Sequence, residues 1–348
     1  MNLKNLSFAG ALLCLIAWPA AAALADNTSP WTQWQQPTPT IATNQITYSP
    51  GRFGHNDELG LRYWYSDSEI SYNVSQNPKV SRLDYKIDNS QTGEAYFRLS
   101  SANARYLVKG SLGIGGEQNG NVMNYDYNPN GSLGSDTNST LGKGNLFYAY
   151  SDLGYKLDSL SWSQAPTSVT GGLGYLQDVM IARGLTCEQA GSGSIYGPGG
   201  TNPSSCTAPG QVPEGSDIKV LQNDAEWATL RIGLDNNYQP TTRLTWRNEI
   251  VAVPLAYFYD GDSHYLRPDL GILLPNIMDR GYGYGVQLES LLDYKITPRW
   301  SLNIGARFWQ FWVPETKTKY VNADIPSSHS YSWSYQRLGA FAGVAYHF

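Results

Sequence analysis

Past residue 25 the chain has no apolar run approaching the roughly 18 residues that a membrane-spanning helix needs. That absence excludes a helical membrane anchor in the body of the chain. Cysteine is scarce, with three residues in 348, so a disulfide-dense scaffold is excluded. Basic residues are outnumbered, 24 Lys and Arg against 29 Asp and Glu, for a net charge of −5. This balance argues against nucleic acid as a partner. No G-x-S-x-G occurs, which removes the serine elbow of the α/β-hydrolases from consideration. Histidine is limited to four positions.

What the chain does have is aromatic side chains, 25 Tyr and 11 Trp. Rings with a polar edge suit a membrane–water interface. A soluble β-sandwich would use them as well, so composition leaves both open. The first residues, MNLKNLSFAGALLCLIAWPAAAALA, read as a secretory signal peptide over 1–25. Lys4 is the positive start, an apolar segment runs from about Phe8 to Trp18, and Ala23-Leu24-Ala25 is the cleavage site. Leu13 before Cys14 is too large for a lipoprotein signal.

Alternation separates the two β architectures. In YQRLGAFAGVAYHF, Leu338, Ala340, Ala342, Val344, Tyr346 and Phe348 share one face, while Arg337, Gly339, Phe341, Gly343 and His347 share the other. In GYGYGVQLESLLDY, Tyr282, Tyr284, Val286, Leu288, Leu292 and Tyr294 alternate with Gly281, Gly283, Gly285, Gln287, Glu289 and Asp293. In SLNIGARF, Leu302, Ile304, Ala306 and Phe308 alternate with Ser301, Asn303, Gly305 and Arg307. Charge inside and apolar residues outside is the reverse of a soluble barrel and fits one bathed in lipid. The expected fold is all-β: a transmembrane antiparallel up-and-down barrel over 58–348, preceded by an irregular extension over 26–57.

Ten strands are expected, near 58–74, 80–100, 105–118, 144–158, 168–184, 222–238, 243–259, 281–296, 299–314 and 334–348. Short turns between them read as periplasmic. The long connections at 119–143, 185–221, 260–280 and 315–333 read as extracellular loops. Cys187 and Cys206 fall in one of these, and pairing them would constrain the unfolded chain by about 3 kcal/mol.

The chemistry-bearing stretch is DGDSHY. Strand side chains repeat every second residue, so Asp260, Asp262 and His264 share a face, and Asp262 can orient the imidazole as a general base. An ordinary polar loop tip has the same composition. Here the chain resembles the omptin family of outer-membrane endopeptidases, which cut between paired basic residues. The resemblance is carried by D-x-D-x-H-Y at Asp260 to Tyr265, KVSRLDYK (79–86), GNVMNYDY (120–127), GYLQDVMIARG (174–184) and YKITPRW to the C-terminus.

This resemblance implies that Asp262 and His264 are the catalytic dyad. It implies that Asp260 is a pocket carboxylate for the substrate's basic side chain, with Glu69 as its partner after one inserted residue. Cationic peptides or proteins are then the expected substrates. The family places two aspartates, spaced D-x-D, opposite the dyad, with water between. Those positions are Asn124 and Asp126, so one carboxylate is replaced by an amide that cannot accept a proton. The family also requires lipopolysaccharide, held by a basic cluster on the outer wall; Tyr175 and Asp178 are kept in GYLQDVM, but Met180 stands where an arginine is sought. No metal or organic cofactor is expected.

Two other readings compete. His329 with Ser330 or Ser332 would make a lipid A hydrolase, but no acidic orienter is evident there. A barrel that has lost its base would serve as an adhesin or surface-recognition protein.

Overall fold

The computed structural model describes residues 57–75, 81–101, 103–127, 131–157, 165–189, 208–212, 214–267, 270–322 and 330–348. The signal-peptide reading (1–25) and nearly all of the N-terminal extension (26–56) fall outside the described residues, as do Cys206 and His329.

Eleven strands follow in chain order: β1 (Glu58–Ser75), β2 (Ser81–Ser100), β3 (Tyr106–Tyr127), β4 (Leu133–Leu141), β5 (Gly144–Leu157), β6 (Thr167–Gln189), β7 (Glu214–Tyr238), β8 (Leu244–His264), β9 (Ile277–Lys295), β10 (Trp300–Tyr320) and β11 (Ser330–His347). Each pairs antiparallel with its neighbours, and β1 closes on β11 from Glu58↔His347 to Ser75↔Ser330. Among the described strands closure leaves no edge, which a sheet in hydrocarbon requires.

The count of ten differs from eleven for one local reason. β4 and β5 lie end to end against both β3 and β6, separated at Gly142-Lys143, where Lys143 takes φ +61°. They occupy one strand position, broken by a left-handed residue. The expected loop at 119–143 is therefore largely sheet. Its Gly and Asn content reads as loop, but Val122, Asn124 and Asp126 pair with Tyr85, Leu83 and Ser81. β8 and β10 likewise run to His264 and Tyr320, beyond their expected ends.

The outer face is apolar where the barrel crosses lipid. Leu173 is 67% exposed and Tyr282 65%. Exposed aromatics ring both ends of this belt. Tyr106, Tyr155, Tyr294, Trp300 and Phe348 lie at the short-turn end, and Tyr63, Tyr65, Tyr257, Tyr282 and Tyr284 at the other.

Within the belt the lumen is filled with paired charge. Arg307 reaches Glu94 at 2.6 Å and Glu289 at 2.7 Å, and Arg62 bridges the same two carboxylates at 3.3 and 3.0 Å. Lys109 holds Asp235 at 2.8 Å and Glu249 at 2.7 Å, while Arg231 holds Asp152 at 2.9 Å. Above this lies an aromatic layer in which Trp227 stacks on Phe311 and packs on Phe258, and Phe258 packs on Trp333. Side chains fill this lumen, as a barrel of this strand number permits.

Candidate active site

Which residues face inward near the long-connection rim is set by bulges. In β8, Val251 and Val253 are buried, but so are Ala256, Phe258, Asp260 and Asp262. The inner face thus passes from odd to even numbers at Pro254-Leu255, where the register with β9 shifts between Val253 and Ala256. β10 repeats the device at Pro314-Glu315: Phe311 and Val313 are followed inward by Thr316 and Thr318. Proline lacks a ladder donor and is tolerated inside a sheet only at such bulges. The third instance involves β2 and β3, whose register shifts between Ile87 and Ser90. Below it Ser111 and Glu117 are buried on β3; above it Val122 is.

The bulge in β8 brings Asp260, Asp262 and His264 to the inner face. His264 Nε2 lies 2.8 Å from Asp262 Oδ2, with the carboxylate side chain 1% exposed and the imidazole 20%. A proton on Nε2 donates to the carboxylate and leaves Nδ1 as the basic nitrogen. The main chain of His264 is clamped by Asn276, fully buried, from the connection to β9. Its Oδ1 accepts from His264 N–H at 2.9 Å, and its Nδ2 donates to His264 O at 3.0 Å. Sequence reading missed Asn276, since nothing in the pattern of 270–276 marks it.

Asp260 is fully buried; Asn223 lies near enough to act on it as a hydrogen-bond donor, though outside strict hydrogen-bond geometry. Asn223, the neighbour of Asp262 on β7, is itself fully buried. Across the β8–β9 ladder from Asp260 stands Asp279, also fully buried. It accepts from Thr318 Oγ1, from Thr316 Oγ1 at 3.4 Å and from Tyr72 OH at 3.5 Å. Burial, then the charges of Asp262 and Asp279, pushes the Asp260 carboxyl well above the usual range. Burial, with the Asp262 charge, lifts Asp279 to about 7. Asp279 also escaped sequence reading, because it lies in what reads as a loop.

The facing wall is β2 with the upper part of β3. Tyr85 is 1% exposed, and its hydroxyl has no hydrogen bond. Burial, then the charges of Asp262 and Asp260 on the other wall, raises this phenol well above its ordinary value. Tyr85 pairs with Val122; one and two steps nearer the rim, Leu83 pairs with Asn124 and Ser81 with Asp126. Ser81 Oγ donates to Asn124 Oδ1 at 3.3 Å. Asn124 and Asp126 thus lie on the same face of the sheet as Tyr85, the phenol that feels the Asp262 and Asp260 charges.

Glu69 does not join them. It lies on the outer face between Lys86 and Gln336, and the inward residue is Ser68, which accepts from Arg337 Nη2 at 3.2 Å. One residue of strand displacement reverses a side chain, so the inserted residue that aligns Glu69 with the pocket puts it outside the barrel. The same parity corrects the lipid reading of β6. Asp178 and Met180 are buried inward, Asp178 on Arg337 at 2.7 Å, while Tyr175 faces outward and donates to Glu226 at 2.7 Å. Cys187 is disulfide-bonded.

No protein-family model and no curated protein matches this sequence. Among solved structures, the outer-membrane protease OmpT from Escherichia coli aligns with a TM-score of 0.64 at 15% identity, over 84% of this chain and 97% of that one. Ail, the attachment invasion locus protein of Yersinia pestis, aligns at 0.28 and 8% identity, over 84% and 99%. AlkL aligns at 0.32 and 11% identity, over 88% and 97%. Together with the lipid-facing belt, the likeness to OmpT identifies the fold: the chain has the fold of an outer-membrane β-barrel.

Proposed function

We propose that this barrel is an endopeptidase that cleaves after basic residues by attack of a water molecule, with its site at the rim facing the medium. The observation that carries the reading is the 2.8 Å contact between His264 and buried Asp262 on the inner face, with Asn124 and Asp126 on the same sheet face as Tyr85. Asp262 fixes the imidazole and stabilises its protonated form, so His264 Nδ1 can take the proton of a water held between the walls. Asp126 accepts a hydrogen bond from that water, and Asn124 Nδ2 donates to the oxyanion of the tetrahedral intermediate. His264 then returns the proton to the leaving amine.

A substrate's basic side chain would enter beside Asp260, a buried carboxyl flanked by Asp262 and Asp279. Lipopolysaccharide is a fitting partner for the outer wall. Arg280 and Lys317 are exposed cross-strand neighbours just beyond the aromatic ring, at the height of lipid phosphates.

The test is refolding with lipopolysaccharide and addition of a peptide containing an Arg-Arg junction. Cleavage is expected in the wild type and should fall at least 100-fold in His264→Ala. Asn124 supports a second reading, a barrel with weakened chemistry that acts in surface recognition. That reading is favoured if the wild type is inert and Asn124→Asp cleaves. Activity indifferent to changes at His264, Asp262 and Asp126 rejects the peptidase mechanism.

A further inference from the structure

Two buried atoms beside the Asp–His pair meet hydrogen-bond geometry with no protein group. One is Asp262 Oδ1, the carboxylate oxygen that His264 does not use. The other is the hydroxyl of Tyr85, a side chain 1% exposed. The first is an acceptor and the second a donor. Buried polar groups ordinarily find a partner, because leaving one unpaired away from water is costly.

Their positions suit one another. Tyr85 stands on the inner face of β2, between Ile70 on β1 and Val122 on β3. Tyr72, one inward step nearer the rim on β1, sends its hydroxyl across to Asp279 at 3.5 Å. Asp279 is the rung partner of Asp260 on β9. Tyrosines at this level of the β1–β2 wall therefore have the reach to meet carboxylates held by β8 and β9. After burial, the charge of Asp262 acts most strongly on the Tyr85 phenol and that of Asp260 next, and all three keep its proton in place. Asp260 has Asn223 beside it as a donor, so the hydroxyl is better matched to Asp262.

We propose that Tyr85 is a positioning residue of the dyad, its O–H reaching Asp262 Oδ1 through one buried water molecule and fixing the carboxylate with Oδ2 on His264. The water accepts from Tyr85 and donates to Asp262 Oδ1 and to Oδ1 of Asn223, the rung partner of Asp262 on β7. Three polar contacts are what a buried water ordinarily makes, and such a bridge serves nearly as well as a direct bond. At 1% exposure the phenol stands behind the reacting groups and touches no substrate. A donor on the free oxygen also draws off part of the carboxylate charge and tempers its pull on the imidazole proton. The inference rests on the peptidase reading for its effect on rate; the bond itself belongs to the resting barrel.

Tyr85→Phe removes the hydroxyl and keeps the ring, so the variant is expected to fold with unchanged heat-modifiable mobility. On the Arg-Arg peptide its kcat is expected to fall about tenfold with KM within about twofold. The acidic limb of its kcat/KM profile should move up by about half a pH unit, since Asp262 without that donor holds imidazolium more firmly. A second readout needs no turnover. The chain has four histidines, and in an isotope-labelled, refolded barrel their ring signals are followed by NMR against pH, with His264→Ala assigning the one of interest. The His264 signal is expected to titrate about half a unit higher in Tyr85→Phe than in the wild type. With Asp262→Asn present in both, the two curves should coincide. Asp260, Asp279 and Tyr72 are untouched by these substitutions. Coincident wild-type and Tyr85→Phe titrations, or an equal shift when Asp262→Asn is in place, overturn the proposal. A wild type that cuts nothing counts against the peptidase reading, and the ring titration still decides on Tyr85.

Discussion

Val253 and Ala256 both point into the barrel although they are three residues apart, because Pro254 and Leu255 together form a bulge that faces outward. Everything toward the rim on β8 inherits that phase. Were the undeleted strand to alternate strictly through Pro254 and Leu255, Asp260, Asp262 and His264 would fall on the outward series. Deleting Leu255 removes the bulge but leaves Ala256 two positions from Val253, so the same residues stay inward. The variant is expected to fold, seen as heat-modifiable mobility on a gel, and to keep cleavage. A folded deletion variant that has lost all cleavage would refute this phase assignment.

Asn276 substitutes for a ladder partner at the end of β8, binding both main-chain groups of His264. Asn276→Ala leaves that strand end free to drift while removing no reacting group. The expected outcome is a drop in kcat of about tenfold with KM nearly constant. Steady-state kinetics on the Arg-Arg peptide decides, and a change confined to KM would contradict it.

The buried carboxyl of Asp279, lifted to about 7, makes apo stability depend on pH. Its folded value lies above the ordinary 3.8, so the folded state holds the proton longer. The site's contribution to stability is then greatest at low pH, falls as pH rises from about 4 to about 7, and is flat above. Asp262, Asp260 and the Tyr72 hydroxyl face it, and Asp260, also raised, acts in the same direction. Urea unfolding at pH 5 and pH 8 should show a wild-type loss at the higher pH that is smaller in Asp279→Asn by about 2–3 kcal/mol, the part that remains belonging to Asp260. Equal pH slopes in the two proteins would disprove this.

Within the lipid belt, Arg307 answers two carboxylates, Glu94 and Glu289, and is 2% exposed. Removing it strands both beside Arg62 alone. Arg307→Ala is expected to cost about 3–5 kcal/mol, read as a lower urea midpoint for the refolded barrel. A shift of less than 1 kcal/mol would mean that Arg62 alone suffices.

On the outer wall, Glu69→Gln is expected to leave cleavage of the Arg-Arg peptide within about twofold of wild type, since the side chain faces away from the lumen. A large rise in KM would restore Glu69 to the pocket.

Several features were legible in the amino-acid order alone. Leu302, Ile304 and Tyr282 alternate with polar or small neighbours, and in the folded barrel they form the lipid-facing surface. Short-range alternation suffices because hydrocarbon on one side and a charged lumen on the other leave a strand only one stable phase. The Asp262–His264 contact was legible for the same reason, two residues apart being one face.

What the order of residues left undecided was phase across a bulge and distance across the lumen. Glu69 differs from Ser68 by one position, yet only the closed sheet reveals that one faces outward and the other meets Arg337. Asp279 and Asp260 are nineteen residues apart in a stretch that reads as loop, and pairing of β8 with β9 makes them neighbours. Periodicity is a local property of the backbone, so it determined which surface meets lipid. The carboxylate pair, the clamp on His264 and the wall that faces them depend on the register between strands, which only tertiary pairing sets.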